Sequence, residues 1–333
     1  MTTEPTDREL DDLAGSLAPF NTRIVLTGAG FSKPWGGYLA SELWSVIVSY
    51  PALRAAPETD KLLHDDLNFE KTLARVQAEP ATFAKENGEQ ILWRAVMDAF
   101  DVMDRRIAGS LNNYVSQVLG NLLRALVAGI THNPTTSFFT LSQDLLVERV
   151  IQDCAPTAPS LVVPQIATLA PSVTSGTPLS ASVPTFDPKP FQAIKERVSY
   201  IKLHGSMNWR VGTSEVVVLG GAKAEAIARF PILRMNNAIF RRALKEKNAR
   251  LLVVGYGFGD DHINEAINQA AAAKNGLAIW IADPRDPKLI RDAMIRYGSL
   301  WQSVVGQSPW LLDLFRPAAP DRELFRERFW DGA

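Results

Sequence analysis

The chain has 333 residues, 46% of them hydrophobic, with 35 Lys and Arg set against 36 Asp and Glu. A net charge of −1 argues against an all-over basic nucleic-acid binder, though not against a local basic patch. The one cysteine, Cys154, excludes an internal disulfide and a cysteine-rich zinc module, and fits a reducing cytoplasm.

At about 100–200 residues per domain the length allows two or three units. The opening MTTEPTDRELDDLAG is polar and acidic, unlike a signal peptide, and residues 1–20 read as a tail. No run approaches the ~18–20 apolar residues that span a bilayer. Residues 23–27, RIVLT, are β-branched and apolar and stop at glycine, which predicts a buried strand. GAGFS follows. A strand that ends in glycines and turns into a helix brings backbone N–H groups against a phosphate. The P-loop spacing is absent, and Lys33 stands where the dinucleotide fingerprint has its third glycine.

After Pro34 and two glycines, residues 38–50 have helical spacing, with Leu39, Leu43, Val46 and Ile47 on one side. Residues 56–130 read as an inserted helical module, nearly free of Gly and Pro beyond residue 60 and rich in Leu, Val and Ala. A short strand is expected at 138–141. Residues 155–190, crowded with Pro, Ser, Thr and Ala, predict a long loop or irregular insertion. Strand patterns return at 198–203, 249–257 and 276–283, with helical patterns between and after them. Strands alternating with helices predict an α/β fold, a mostly parallel sheet with helices on both faces, built from 21–55 and 131–315. Residues 316–333 read as a C-terminal tail. Its RELFRERFWDG predicts an amphipathic terminal helix, with a nucleic-acid or partner contact as the alternative, and AMIRYGSLWQSVVGQSPWLLDLF before it predicts core or subunit contacts.

Ligands of such sheets sit outside the carboxyl ends of the strands. The residues there are Gly28, Ala29, Gly30 and Ser32, then Ser142, Gln143 and Asp144, then His204, Gly205, Ser206 and Asn208. Gly255, Gly257, Asp260, Asp261 and His262 follow the next strand, and Asp283 the last. His64 and His132 have no metal-ligand partners nearby in sequence and read as structural or surface residues.

LTGAGFS, FTLSQDLLVER, IKLHGSMNW and VVGYGFGDDHI occur in the order found in sirtuin-like proteins. The chain resembles, more narrowly, the bacterial sirtuin-like proteins of phage defence over roughly residues 20–300. The resemblance implies a Rossmann-like sheet with an inserted helical module, and NAD as the ligand and substrate. It implies that Gly28, Ala29, Gly30 and Ser32 meet the pyrophosphate and ribose. His204 would touch the nicotinamide ribose and act as general base, a task suited to an imidazole with a reference pKa of about 6.5.

The family pattern Thr-x-Asn-x-Asp stands here as Thr140-Leu141-Ser142-Gln143-Asp144. A serine hydroxyl is shorter than an amide and lacks its separate donor pair and carbonyl. Ser142 therefore weakens the site, or Gln143 or a water takes over its contact. Asp144 fits ribose or network binding, or else a helix N-cap. Gly255, Gly257 and Asp260 would lie near the adenosine half, and Asp283 would accept from a ribose diol. His262 either touches the ligand or opens the next helix. Asn208 and Trp209 either line the pocket or pack in the core.

Sirtuin deacetylases of the usual kind carry a four-cysteine zinc module, which one cysteine cannot build. The resemblance therefore implies NAD hydrolysis without zinc, in abortive anti-phage defence, under control of oligomer assembly, a HerA-like ATPase ring or a short Argonaute partner. A homo-oligomer, at most indirect nucleic-acid contact, and no membrane contact are expected. A binding module that senses NAD or ADP-ribose without turning it over is the alternative, and acyl-lysine removal a more distant one.

Overall fold

The computed structural model describes residues 23–127, 136–153, 161–162, 181–182, 198–221, 223–273, 275–315 and 323–330. Seven strands form an all-parallel sheet: β1 (Arg23–Thr27), β2 (Thr136–Thr140), β3 (Leu161–Val162), β5 (Val198–Lys202), β8 (Arg250–Val254), β9 (Ala278–Ala282) and β10 (Val304–Ser308). Their spatial order is β3-β5-β2-β1-β8-β9-β10, and every neighbouring pair is parallel. From β1 the chain moves outward to β2 and β5, then returns to the other side of β1 for β8, β9 and β10. That reversal between β1 and β8 is the switch point of a doubly wound, Rossmann-like sheet.

The strand residues alternate between two cores. Val25, Phe138, Tyr200, Leu252 and Val254 face one side. Ile24, Leu26, Phe139, Ile201, Leu251 and Val253 face the other. A sheet covered on both faces needs both sets apolar, which is why the strands read as continuous hydrophobic runs. The first face is covered by α1 (Ala29–Ser32), α2 (Ala40–Ile47), α3 (Pro57–Asp66), α4 (Phe69–Ala78), α5 (Pro80–Phe83), α6 (Gly88–Ser110), α7 (Asn113–Val127) and α8 (Leu146–Asp153). Phe31, Phe138 and Tyr200 form a row of edge-to-face rings there, 6.3 and 5.4 Å apart. The inserted helices share one core with the sheet. Arg149 of α8 and Asp104 of α6 add a buried two-point ion pair.

The second face carries α10 (Pro231–Leu244), α11 (Asp261–Ala272), α12 (Pro287–Ala293) and α13 (Gly298–Gln302). A smaller sheet, β4 (Ala181–Ser182) with the antiparallel hairpin β6 (Gly205–Val211) and β7 (Ser214–Val217), leads into α9 (Lys223–Arg229).

The helix expected over 38–50 spans only Ala40–Ile47. Leu39 is its N-cap and stays 39% exposed; Leu43 and Ile47 are buried, and the half-buried Trp44 and Val46 pack beside them. Of the 155–190 segment, 161–162 and 181–182 are described, and each is a short strand instead of loop. Cys154 and His132 lie outside the described residues. The hairpin β6–β7 and the edge strand β10 are not among the expected strands. Within the expected tail, Glu323–Trp330 is helical, and Phe325 and Phe329 pack on Trp280 at 5.4 and 5.6 Å. Before it, Met294, Leu300 and Leu314 are buried as expected of core, whereas Ile295 and Trp310 are exposed.

Gly255 has φ +57°, and a Cβ there would lie 2.4 Å from the Gly30 carbonyl carbon. Gly109, inside α6, has nothing within 4 Å of a built Cβ. Gly255→Ala should therefore lose at least ~2 kcal/mol of unfolding free energy, from strain and overlap together. Gly109→Ala should hold or gain up to ~1 kcal/mol, because alanine is the better helix former. Equal effects in urea unfolding would contradict this placement.

Candidate active site at the strand carboxyl ends

The parallel ladder runs one residue past each strand. Gly28 N–H donates to the Val254 carbonyl, Leu141 to Thr27, Leu203 to Thr140, Gly255 to Ala282 and Asp283 to Ser308, at 2.9–3.1 Å. The five loops therefore start in one row, and every residue expected at a site lies within them.

At the switch point the loops after β1 and β8 touch backbone to backbone. Gly30 N–H donates to the Gly255 carbonyl at 2.9 Å. A Cβ on Gly28 would meet that carbonyl oxygen at 2.7 Å, and one on Gly30 the Gly255 Cα at 2.8 Å. This close approach already requires glycine at 28, 30 and 255. The helix that Gly28 opens, α1, has only four residues, Gly30 among them, before a tighter turn at Lys33–Trp35, so the expected helix N-terminus adds little field. Gly257 differs: it is exposed and open space surrounds its Cα. Ala29 is also exposed.

Asp144 is the hub of the next loop. Its Oδ2 accepts from Ser32 Oγ and from Ser142 Oγ, both at 2.5 Å. Its Oδ1 accepts from Leu146 N–H at 3.0 Å, which caps α8. Lys202 is fully buried. Its ammonium donates to the Asp144 carbonyl at 2.5 Å and to Glu148 Oε1 at 2.7 Å, fixing the loop from below. Gln143 turns its amide to the Val218 carbonyl at 3.2 Å, and its own carbonyl accepts from Met207 N–H.

His204 follows β5 and is 2% exposed. Gly205 after it has φ +73°, and a Cβ there would meet the Val216 carbonyl oxygen at 1.9 Å. The hairpin thus closes directly on the His-Gly step and holds the histidine in place. His204 Nε2 lies 3.0 Å from His262 Nε2. His262 is the second residue of α11, so it both opens that helix and joins the site.

Burial pushes His204 down to about 3; the Asp260 carboxylate opposes that, while Lys223 and His262 reinforce it. Burial alone would raise the Asp260 carboxyl, but His204 and Lys223 hold it below the usual range. Lys223 of α9 donates to Asp260 Oδ1 at 2.5 Å and pairs with Glu70 of α4 at 2.7 Å. Despite burial, those two carboxylates raise its pKa. Sequence reasoning missed Lys223 and Glu70, since neither sits in a motif or at a strand end.

Asp283 is buried, and Arg285 clamps it with 2.8 Å bonds to both carboxylate oxygens. Arg285 also donates to the Tyr256 carbonyl. The expected ribose acceptor therefore already holds a cation, and Arg285 is a further site residue that its motif did not flag. Trp209 is buried in the core. His64 is on the exposed side of α3, bonded to the Asp60 carbonyl.

His204, Asp260 and His262 bring one ligand atom each within 4.8 Å of one another. Lys223 holds an oxygen of Asp260, and the 3.0 Å nitrogen contact suits a hydrogen bond, so the set reads as a proton network. Thr27 Oγ1 and Asn208 Oδ1 are buried without a partner among the described residues. Both can bond to a diol-bearing ligand such as NAD. A cavity of about 550 Å³ lies at the opposite, amino end of β8, β9 and β10, lined by Asn248, Arg250, Trp280, Val305 and Phe329. It holds none of these groups.

The folded chain keeps His204 neutral, whereas the unfolded chain protonates it near the ordinary histidine value of about 6.5. Unfolded molecules then bind more protons between about 6.5 and 3, so stability falls as pH drops through that window. His204→Gln should flatten the slope of unfolding free energy by up to ~1.4 kcal/mol per pH unit between pH ~4 and ~6. An unchanged slope in urea melts would contradict the burial.

No curated protein matches the chain. The SIR2-like domain family matches residues 136–302, from the start of β2 to the end of α13, half of the chain's length. That span contains Asp144, Lys202, His204, Asp260, His262 and Asp283, while the β1 loop precedes it. That match shows the family, and with it NAD-linked, sirtuin-like activity: this chain belongs to the SIR2-like domain family.

Proposed function

We propose that the chain is an NAD+ hydrolase that releases nicotinamide and ADP-ribose. The observation that carries this reading is the placement of buried His204 in one row of loops with the β1–β8 crossing, at the switch point where such sheets take dinucleotides. The C1′–nitrogen bond breaks, and its electron pair leaves with nicotinamide, neutralising that ring. Water adds at C1′ and gives up one proton, which His204 accepts. Thr27, Asn208 and Gln143 hold the sugar hydroxyls, and the open space at Gly257 admits the adenosine side. Asp144 keeps Ser32 and Ser142 in place.

The reading extends to NAD-depleting anti-phage defence. A hydrolase of this kind needs restraint, for which homo-oligomer assembly, a HerA-like ATPase or a short Argonaute partner are the proposed means. A cytoplasmic setting follows from that role; among the described residues no helix is long and apolar enough to cross a membrane. One observation favours a second reading: Ser142 gives its hydroxyl proton to Asp144, which suits a module that binds NAD without turning it over.

Purified protein should release nicotinamide and ADP-ribose from NAD in equal amounts. Ser142→Asn should raise the rate at least ~10-fold if position 142 is the weak point, and His204→Ala should lower it by ~10²–10⁴-fold. NAD bound in calorimetry with no product from any form would establish the binding module instead.

A further inference from the structure

We infer that His262 is the relay partner of His204, taking over the proton that His204 removes from the attacking water. This rests on the hydrolase reading above and assigns a second residue to its proton path. The two rings meet edge to edge: Nε2 to Nε2 is 3.0 Å, the centroids are 5.0 Å apart and the planes are tilted by 33°. At that distance one proton sits between two nitrogens, and one ring donates while the other accepts. His204 Nε2 is therefore engaged, and uptake from a reacting group falls to Nδ1.

The proton balance is simple. His204 gains a proton on Nδ1, its Nε2 proton crosses to His262 Nε2, and His262 carries the positive charge. His262 is less buried than His204, so the proton leaves from there to water. One proton per turnover reaches solvent, as the hydrolysis of NAD+ requires. The charged groups facing His262 are Asp260 and Asp261 on its own turn, Lys223 of α9 and Arg241 of α10. Asp260 faces both histidines and stabilises a cation on either, while Lys223 offsets part of that field. Burial depresses both imidazoles, so a proton on His204 alone is poorly held near neutrality and passing it outward is favourable.

The decisive experiment measures nicotinamide release by wild type, His262→Gln and His262→Ala across pH, with and without added imidazole. Zinc per chain is read by mass spectrometry on the same samples. His262→Gln should cut kcat by ~10–100-fold with KM for NAD within ~2-fold, and should alter the pH profile. Imidazole should restore part of the His262→Ala rate. If His262→Ala fails to fold, the glutamine variant alone decides. Turnover in wild type with kcat and pH profile unchanged in His262→Gln would overturn the relay alone. Tightly held zinc that activity depends on would also overturn it, by making the pair a metal site. No turnover in wild type would overturn the hydrolase reading, and the relay with it.

Discussion

The backbone contact between the loops after β1 and β8 is the constraint on which the site depends. Gly30 N–H meets the Gly255 carbonyl, and no side chain fits between them. The ladder bonds then bring the ends of β2 and β5 into the same row, which delivers Asp144 and His204. A single bulky residue at the crossing would displace four loops at once, because each loop start is bonded to its neighbour's strand.

Charge ties the inserted helices to the same loops. Glu70 of α4 and Asp260 after β8 share Lys223, and Asp104 of α6 holds Arg149 of α8, the helix that Asp144 caps. Such pairs add little net stability but are costly to break one partner at a time, by about 3–5 kcal/mol where the pair is buried, as Arg149–Asp104 is. They fix geometry. The helical module is joined to the β8 loop through Lys223, whose other partner, Asp260, faces both histidines. A movement of α4 would reach that carboxylate through one side chain.

Much of this was legible in the sequence because it rests on short-range rules. Apolar runs marked β1, β2, β5, β8 and β9, with glycine ending β1 and β8, and reading only the residues after them placed His204, Asp144 and Asp260 in one row. The hairpin β6–β7 was missed although Ser206–Val211 alternates polar and apolar and Gly212–Thr213 makes a two-residue turn, with Gly212 at φ +59°; the second strand, SEVV, does not alternate, which hid the pair. The glycines were read as room for phosphate, but at 28, 30 and 255 the room is filled by the chain itself. That is a contact between residues more than 200 positions apart, and no local pattern encodes it. Lys223, Glu70 and Arg285 were missed for the same reason: each is defined by a distant partner or by a side chain folded back on its neighbour.

We propose above all that NAD binds at the β1–β8 crossing beside His204. Hydrogen–deuterium exchange with and without NAD, on His204→Ala to prevent turnover, tests it most directly. NAD should add protection at Thr27–Ser32, Ser142–Asp144 and Gly255–Asp260, with none in the amino-end cavity around Asn248 and Val305. Protection confined to that cavity, or none at the crossing with NAD bound, would contradict it.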